Sequence, residues 1–573
     1  MRFSVLFTTA FLLSTTFFCP TFGQLPISEW AQSIGSDSQA SALAVATDKL
    51  GNVYATGTYQ GITDFDPGPG VTNLEPIGLG DIFILKMDSD GNLLWAKSIG
   101  GVSADAGKSI VVDANLNIYV AGTYQGTADF DPGTGVSNFT SAGGTDCFLL
   151  KMDTDGNFNW ANSIGGPGAE EGQSVDVDAT GLVYLAGSFS GTVDIDPGAG
   201  QTQFVSEGFT DFFVQKLDAA GNLLWAYGMG SLAADVANDI HVDPSGAVLV
   251  TGHFQLTIDF DPSPGGIEER SASTQSQDLF VQKLDSDGNL IWVYTSEALF
   301  QSGITGASVA SDASDNVYLT GDFSTIVDFE PGSGMTQLES TGASDIFVLK
   351  LDAAGNLAWV NQMGGTFFDS GNSIAIDASN HVYVTGFFFG SADFDPSAGT
   401  NNITSFGQSD IFVHKLDESG NVLWTFPIGD FADETGNGIA IDDNDNVVVA
   451  GKFRGTADFE PGPGVSNLDS GVEDNIFLLK LSSFPVSVGT ISVVPNSFQM
   501  GPNPTSGNTY LEIPGVKSIQ HISVMDAVGR EVYSTNRFAN SRVELPLAHL
   551  PGGLYLVRIE NAYQSITRKL IKQ

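Results

Sequence analysis

The sequence predicts an all-β protein: a seven-bladed β-propeller with velcro closure, followed by a small Ig-like β-sandwich. Three observations carry this. All seven tryptophans fall in one register, at Trp30, Trp95, Trp160, Trp225, Trp292, Trp359 and Trp424, spaced by 65, 65, 65, 67, 67 and 65 residues. The tetrapeptide D-[FI]-[DE]-P recurs with them, beginning at Asp64, Asp129, Asp194, Asp259, Asp328, Asp393 and Asp458. No stretch keeps a helical period, so the copies read as a strand repeat.

Each copy holds four short strands. In one copy they are Ile374-Ala375-Ile376, Val382–Thr385, Ile346–Leu351 and Leu357–Val360. Asp352-Ala353-Ala354-Gly355-Asn356 and Asp377-Ala378-Ser379-Asn380 supply turns between them. The strand before each tryptophan carries Phe at 83, 148, 213, 280, 347, 412 and 477, followed by Ile, Leu or Val. Adjacent strand residues face opposite ways, so both faces of this sheet are apolar. Such a sheet must lie between like sheets, as blades around an axis do. The array begins with a Trp strand at Trp30 and ends with a Phe strand at Phe477, so the first strand completes the last blade. An open solenoid would leave apolar sheet ends uncapped.

The units W-A-x-S-I-G-G, V-Y-V-T-G and D-I-F-V-L-K-L-D-x-x-G-N-x-x-W resemble the bacterial seven-bladed β-propeller repeat over about residues 27–484. That resemblance implies the fold and is nearly silent on activity. The turn D-x-x-G-N-x-x-W shares with pyrroloquinoline-quinone enzymes only a way of docking a tryptophan. A sialidase Asp-box fails because Gly91 directly follows Asp90.

Before the repeat, Met1 and Arg2 precede an apolar run from Val5 to Phe18, and Thr21-Phe22-Gly23 offers a cleavage site. Residues 1–23 read as a secretory signal peptide, which leaves 24–484 as the propeller. No later run is apolar enough to cross a membrane. Residues 485–497 read as a linker. Residues 498–573 carry 8 Lys/Arg against 5 Asp/Glu, in a chain whose net charge is -45. A sign change at a composition boundary argues for a separate domain.

This last segment resembles the type A C-terminal sorting domain of the type IX secretion system of Bacteroidota. The matching residues are Pro502-Asn503-Pro504, Ile522–Asp526, Gly529-Arg530, Gly553-Leu554-Tyr555 within Leu550–Ile559, and Lys569 to Lys572. The resemblance implies an export address read by the secretion machinery at the outer membrane. The mature protein is then expected to be extracellular or held at the cell surface.

The charge balance of 22 basic to 67 acidic residues excludes nucleic acid as a partner held by charge. The acids form columns: Asp48 and its equivalents, both acids of D-[FI]-[DE]-P, the hairpin Asp88 series and the Asp81 series. These account for 33 of the 62 acids outside the C-terminal segment. Three readings stand. Asp caps turns by accepting backbone N–H groups. The Lys repeated at 86, 151, 216, 283, 350, 415 and 480 meets an Asp column. Alternatively the alternating pairs of the tetrapeptide hold Ca²⁺, a cation that takes several oxygens. Those pairs are Asp64 with Asp66, Asp129 with Asp131, Asp194 with Asp196, Asp259 with Asp261, and Asp393 with Asp395.

Cys147 sits where other copies carry Ile, Leu or Phe and reads as core. The six histidines show no metal spacing, and no Ser/His/Asp motif stands out. Irregularity concentrates in two adjacent repeats, where Leu256 and Thr325 replace a glycine and Glu268-Glu269-Arg270 lies in a lengthened loop. The resulting expectation is a non-enzymatic surface protein that binds or scaffolds a glycan or protein ligand, with Phe300, Phe367 and Phe368 as loop aromatics. The rival is a propeller enzyme acting on polysaccharide through axial carboxylates.

Overall fold

The computed structural model describes residues 25–482 and 499–572, apart from 37, 274–275, 300–302, 331–333, 462–463, 502–504, 506–507, 513–520, 527–529, 536–541 and 561–564. The expected signal peptide, the expected linker and Phe300 lie outside the described residues, as do Pro502, Asn503, Pro504 and Gly529. The chain divides into two compact units, Met1–Ser483 and Phe484–Gln573. All regular structure among the described residues is strand.

In the first unit, Ala40–Thr47, Val53–Tyr59, Asp81–Met87 and Leu93–Gly101 pair antiparallel in that order. The same four-strand order starts again at Ala106–Val112, Glu170–Val177, Val236–Val242, Ile304–Ser311, Ser370–Ile376 and Thr435–Ile441. The sheet starting at Thr435 takes its fourth strand from the other end of the chain, where Ile27–Ser36 pairs with Asn475–Ser482. Each starting strand packs against the next, and the one at Thr435 packs against the one at Ala40. The result is a β-propeller, with the starting strands lining its axial channel.

Sequence alternation explains why the sheets stack this way. Asp81–Met87, Asp211–Leu217, Asp278–Leu284 and Asp345–Leu351 are buried at every position. Core clusters therefore cross between neighbouring sheets: Ile82 and Ile84 of one pack with Ile110, Ile118 and Val120 of the next. Each such side chain contributes roughly 1.5–3 kcal/mol on burial. The middle residue of D-[FI]-[DE]-P is the peripheral anchor. Phe65 lies 5.3 Å from both Tyr59 and Phe83, and Phe130 repeats this against Tyr124 and Phe148.

The tryptophans lock sheet to sheet. The Trp95 indole N–H donates to the Thr154 carbonyl at 3.2 Å, in the D-x-x-G-N turn of the following sheet. Trp30, Trp160, Trp225, Trp292 and Trp359 do the same to Ser89, Ala219, Ser286, Ala353 and Glu418. The turn glycine meets the indole face: a Cβ on Gly355, whose φ is +83°, would lie 2.8 Å from Trp292.

The second unit holds two antiparallel sheets. One contains Gln499–Gly501, Thr509–Glu512 and Arg542–Leu545. The other contains His521–Asp526, Glu531–Thr535, Gly553–Glu560 and Ser565–Lys572. Leu511, Ile522, Val524, Leu545, Val557 and Leu570 form the core between them.

Two substitutions separate the lock from the turn itself. Gly246 has φ +87° with nothing within 4 Å of an added Cβ, whereas Gly355 has both the positive φ and the indole. Gly246→Ala is expected to cost about 1–2 kcal/mol for the left-handed backbone alone. Gly355→Ala is expected to cost about 1–3 kcal/mol more from the clash. Chemical denaturation of both variants checks this, and equal losses would remove the indole contact from the account.

Candidate functional site

The acid columns take three structural roles. Asp48 closes the turn after the channel strand: Oδ1 accepts the N–H groups of Leu50 and Asn52, and Oδ2 accepts the Tyr54 hydroxyl at 2.8 Å. Burial alone would raise its pKa, but these donors, with the Asn52 side chain, hold it below the ordinary carboxylate value. Asp88 caps the hairpin the same way through Asp90 and Asn92.

The Lys column depends on that phenol. Where Tyr54, Tyr119, Tyr184, Tyr318 or Tyr383 is present, the Lys ammonium lies 4.6–5.1 Å from its ring centroid. Lys86, Lys151 and Lys216 then donate to turn atoms of the following sheet. Where Leu249 or Val448 replaces the Tyr, Lys283 reaches Asp243 at 2.8 Å and Lys480 reaches Asp442 at 3.0 Å. The expected Lys–Asp pairing is therefore direct where no phenol intervenes, and Lys415, 3.7 Å from Asp377, is intermediate.

The ten residues considered for Ca²⁺ sit at the outer loops, where their carboxylates accept backbone N–H groups. In each pair the first Asp ties the loop together. Asp64 Oδ1 accepts the N–H groups of Asp66 and Thr72. Asp129 accepts those of Asp131 and Ser137, and Asp194 those of Asp196 and Thr202. Asp259 accepts those of Asp261 and Glu268, and Asp393 those of Asp395 and Asn401. The second Asp closes a tighter turn two residues on. Asp66 accepts the Gly68 N–H, Asp131 that of Gly133 and Asp196 that of Gly198, each at 2.8 Å. Asp261 accepts the Ser263 N–H and Asp395 that of Ser397, both at 2.9 Å.

Ca²⁺ needs several oxygens converging on one point. Among the described residues, no group of three or more His, Cys, Asp or Glu side chains gathers to hold a metal ion. Asp64, Asp66, Asp129, Asp131, Asp194, Asp196, Asp259, Asp261, Asp393 and Asp395 all act as turn caps. The alternation that suggested ligands is the spacing an Asp needs to reach the N–H two residues on.

At the opposite end of each sheet from the hairpin turns lies a rim of exposed apolar side chains. The loop before the third strand runs beside the loop leading into the next channel strand, joined by bridges such as Gly80–Ala104, Thr210–Ala234 and Ser344–Phe368. Leu79 and Val102 are exposed on one such loop pair, Phe209 and Leu232 on another, and Phe406 and Phe431 on a third. Phe367 and Phe368 are 54% and 62% exposed, and Phe431 is 81% exposed.

Buried carboxyl pairs hold this rim from beneath. Asp81 accepts the Ile77 N–H at 3.1 Å, while Asp105 accepts those of Gly101 and Gln125. Asp410 and Glu434 hold Phe406 and Asp430, and Asp345 and Asp369 hold Thr341 and Gly365. Burial is the main cause that pushes Asp105 up to about 6 and Glu170 and Glu434 up to about 7. The backbone donors oppose it, and the paired carboxylate adds to it. One oxygen each of Asp81, Glu170, Asp211, Asp345 and Glu434 is buried without a hydrogen-bond partner among the described residues.

The sequence reading found the Asp81 series but missed its partners Asp105, Glu170, Asp235, Asp369 and Glu434. A constant offset of 24 residues from Asp81, Asp146, Asp211, Asp345 and Asp410 was the available signal. In the irregular repeats, Leu256 and Thr325 keep the left-handed turn, each at φ 58°. The sheet pairing there follows the regular repeats: Glu269–Ser271 pairs with Thr257–Asp259 as Gln203–Val205 does with Thr192–Asp194, while the lengthened loop shows in Asp259 accepting the N–H nine residues on instead of eight. Arg270 pairs with Glu268. Cys147 is fully buried, which raises its thiol pKa. Of the sorting residues described, Gly553, Leu554 and Tyr555 open a strand paired with the one ending at Lys572, and Lys569 lies opposite Leu556. Arg530 precedes Glu531–Thr535 and is exposed.

Residues 499–573 match the family described as Secretion system C-terminal sorting domain. The chain is 25% identical over 498 residues to an uncharacterized WD repeat-containing protein of Acanthamoeba polyphaga mimivirus, covering 74% of this chain and 36% of that protein. It is 29% identical over 184 residues to the regulatory protein FlaEY of Caulobacter vibrioides, covering 30% of this chain and 19% of that protein. The chain thus spans little more than a third of one curated relative and under a fifth of the other. A chain of the mitotic checkpoint complex aligns at TM-score 0.38 and 8% identity over 84% of this chain and 100% of its own. An ACO/RPE65 chimera aligns at TM-score 0.33 and 10% identity over 80% of this chain and 94% of its own.

The carboxyl pairs set a pH dependence. Their folded pKa lies above the ordinary value of 3.8 or 4.5, so their contribution is fully present below about pH 4 and is lost as pH rises through about 6 to 7. The turn carboxylates Asp48 and Asp88, with lowered pKa, contribute above about pH 4 and lose that contribution in acid. The melting temperature is expected to peak between about pH 4 and 6 and to fall toward pH 8. Asp105→Asn is expected to shallow that fall, and a flat profile from pH 5 to 8 would rule out the carboxyl pairs as its source.

Proposed function

We propose that this is a protein of the bacterial cell surface: a seven-bladed propeller over residues 24–484, exported with a signal peptide at 1–23. Residues 498–573, joined through 485–497, form the Ig-like type A address of a Bacteroidota type IX secretion system. The propeller binds a glycan or protein ligand through its loop rim. The sorting-domain match implies contact with the secretion machinery and delivery to the surface. The ring of packed channel strands and the pairing of Ile27–Ser36 with Asn475–Ser482 support the blade count and closure.

The observation that carries the binding reading is the rim itself. Exposed Phe209, Phe367, Phe368, Phe406 and Phe431 stand on loops held by buried carboxyls. Soluble proteins hold such apolar side chains in water chiefly where a partner covers them. Aromatic faces stack on sugar rings or fill protein pockets alike. The raised carboxyls favour this reading over polysaccharide cleavage, because they recur as near-equivalent pairs bonded to backbone instead of converging on one cleft. The outer-loop Asp pairs likewise accept backbone N–H groups, which supports a turn-capping role for them.

Two experiments test this. Envelope material from producing cells is expected to retain the mature protein in cosedimentation. Phe209→Ser with Phe431→Ser is expected to weaken retention at least tenfold at unchanged melting temperature, and undiminished retention would exclude the rim. Deleting residues 498–573 is expected to trap the protein in the periplasm, and unchanged surface display would overturn the export reading. In the same preparations, millimolar Ca²⁺ after chelation is expected to leave the melting temperature unchanged. A rise equivalent to about 2.7 kcal/mol, as at 100 times a site's Kd, would restore the calcium reading.

A further inference from the structure

The axial channel has one sector unlike the rest. At equivalent positions near the ends of the channel strands, the repeats carry Ala46, Val111, Asp176, His241, Ala310, Ala375 and Ala440. Two adjacent repeats thus place a carboxylate and an imidazole where the others place small apolar side chains. The structure joins them to a hydroxyl on the next strand. Asp176 Oδ2 lies 3.2 Å from His241 Nδ1, and His241 Nε2 lies 3.0 Å from Ser311 Oγ. Asp176 is itself fixed, since Oδ2 accepts the Val242 N–H at 2.8 Å and Oδ1 that of Val177 at 2.7 Å.

All three side chains line a channel cavity of about 540 Å³. That volume suits a small ligand. From these contacts we propose that Asp176, His241 and Ser311 form an acyl-transfer site that hydrolyses a small ester entering the channel. This site stands apart from the rim reading, which rests on loops at the other end of the sheets.

The arrangement matches the roles such chemistry needs: a nucleophile bonded to a base, and the base oriented by a carboxylate. Ser311 Oγ attacks the ester carbonyl carbon while its proton passes to His241 Nε2. The carbon–oxygen bond to the alcohol breaks, and the alcohol leaves with that proton. Water then attacks the acyl-serine, gives a proton to His241, and releases the carboxylic acid as Ser311 recovers its hydrogen. No oxidant or metal enters the balance. Asp176 is a positioning residue: it holds the tautomer with Nε2 free to accept and steadies the imidazolium. The alanines of the opposite wall leave room for a short apolar acyl group.

Asp176, Asp239 and Asp243 face the imidazole. Burial opposes its charge, but the Asp176 hydrogen bond and these carboxylates raise its pKa overall. Asp239 is occupied by the Ser174 hydroxyl and the N–H groups of Ile240 and Val309.

The repeats supply substitutions the fold already accepts. Val112, Val177 and Val242 stand at the position of Ser311, and alanine stands at that of His241 and Asp176 in four other repeats. The test treats the mature protein with a fluorophosphonate probe, which bonds phosphorus to an activated serine oxygen and expels fluoride. The adduct is expected on the peptide containing Ser311 and nowhere else in the channel. Ser311→Val is expected to abolish it, and His241→Ala to slow it at least 100-fold, with melting temperatures preserved. Asp176→Ala is expected to slow labelling and move its pH midpoint downward, a shift that a purely structural role would not produce. Hydrolysis of p-nitrophenyl acetate is expected to fall in the same order. Ser311 labelling no faster than bulk serines, or ester hydrolysis unchanged in Ser311→Val, would overturn the proposal.

Discussion

The docking of each tryptophan onto the next sheet's turn is the contact on which the ring depends. The indole N–H bonds a turn carbonyl, and its face covers a glycine that has no Cβ to hold it off. The turn can present that carbonyl because an Asp closes it on one side and an Asn on the other. Hydrophobic contact between two-faced sheets would hold them together in many offsets, since burial has no direction. The indole bond selects one offset and repeats it. In the sheet that follows Trp424, the two strand ends, Ile27 and Ser482, are paired together.

The acidity follows from the same economy. A chain with so few cations cannot neutralise its carboxylates by pairing, so most are spent on backbone N–H groups. Location then decides their chemistry. At the hairpin end, solvent and several donors keep the carboxylates ionised and their pKa low. At the rim end, two carboxyls share a dry pocket with too few donors, and burial drives them toward neutrality. The rim loops and their apolar side chains are thus anchored by carboxyls whose pKa burial raises, while the opposite face is anchored by carboxylates whose pKa hydrogen bonds lower.

Near-identical repeats make departures informative. The Tyr-to-Leu249 and Tyr-to-Val448 changes are absorbed locally, because Lys283 and Lys480 move into the vacated bond to Asp243 and Asp442. An added residue before Trp292 is absorbed in the outer loop, where Asp259 accepts the N–H nine residues on instead of eight and the sheet pairing is unchanged. The charged residues in the channel wall are not absorbed in this way. Asp176 and His241 replace small apolar residues, face the cavity, and bond one another and Ser311 across three strands.

By itself the sequence determined the period, the strand order, the apolar faces, the closing strand and the sorting segment. Each is a local or periodic property: alternation needs only neighbouring residues, and Trp30 to Trp424 mark the register without any knowledge of distance. The turn role of Asp48 and Asp88 was legible for the same reason, since their partners lie within six residues. The calcium reading of pairs such as Asp129 with Asp131 was not decidable that way, because ligand count depends on what else converges in space. Only the tertiary structure decided which acids became pairs, because Asp81 and Asp105 meet through the packing of separate strands. It likewise decided that Phe209 and Phe431 face water. It also brought Asp176, His241 and Ser311 together, residues 65 and 70 positions apart that are ordinary in their own strands and adjacent only because the ring sets one repeat beside the next.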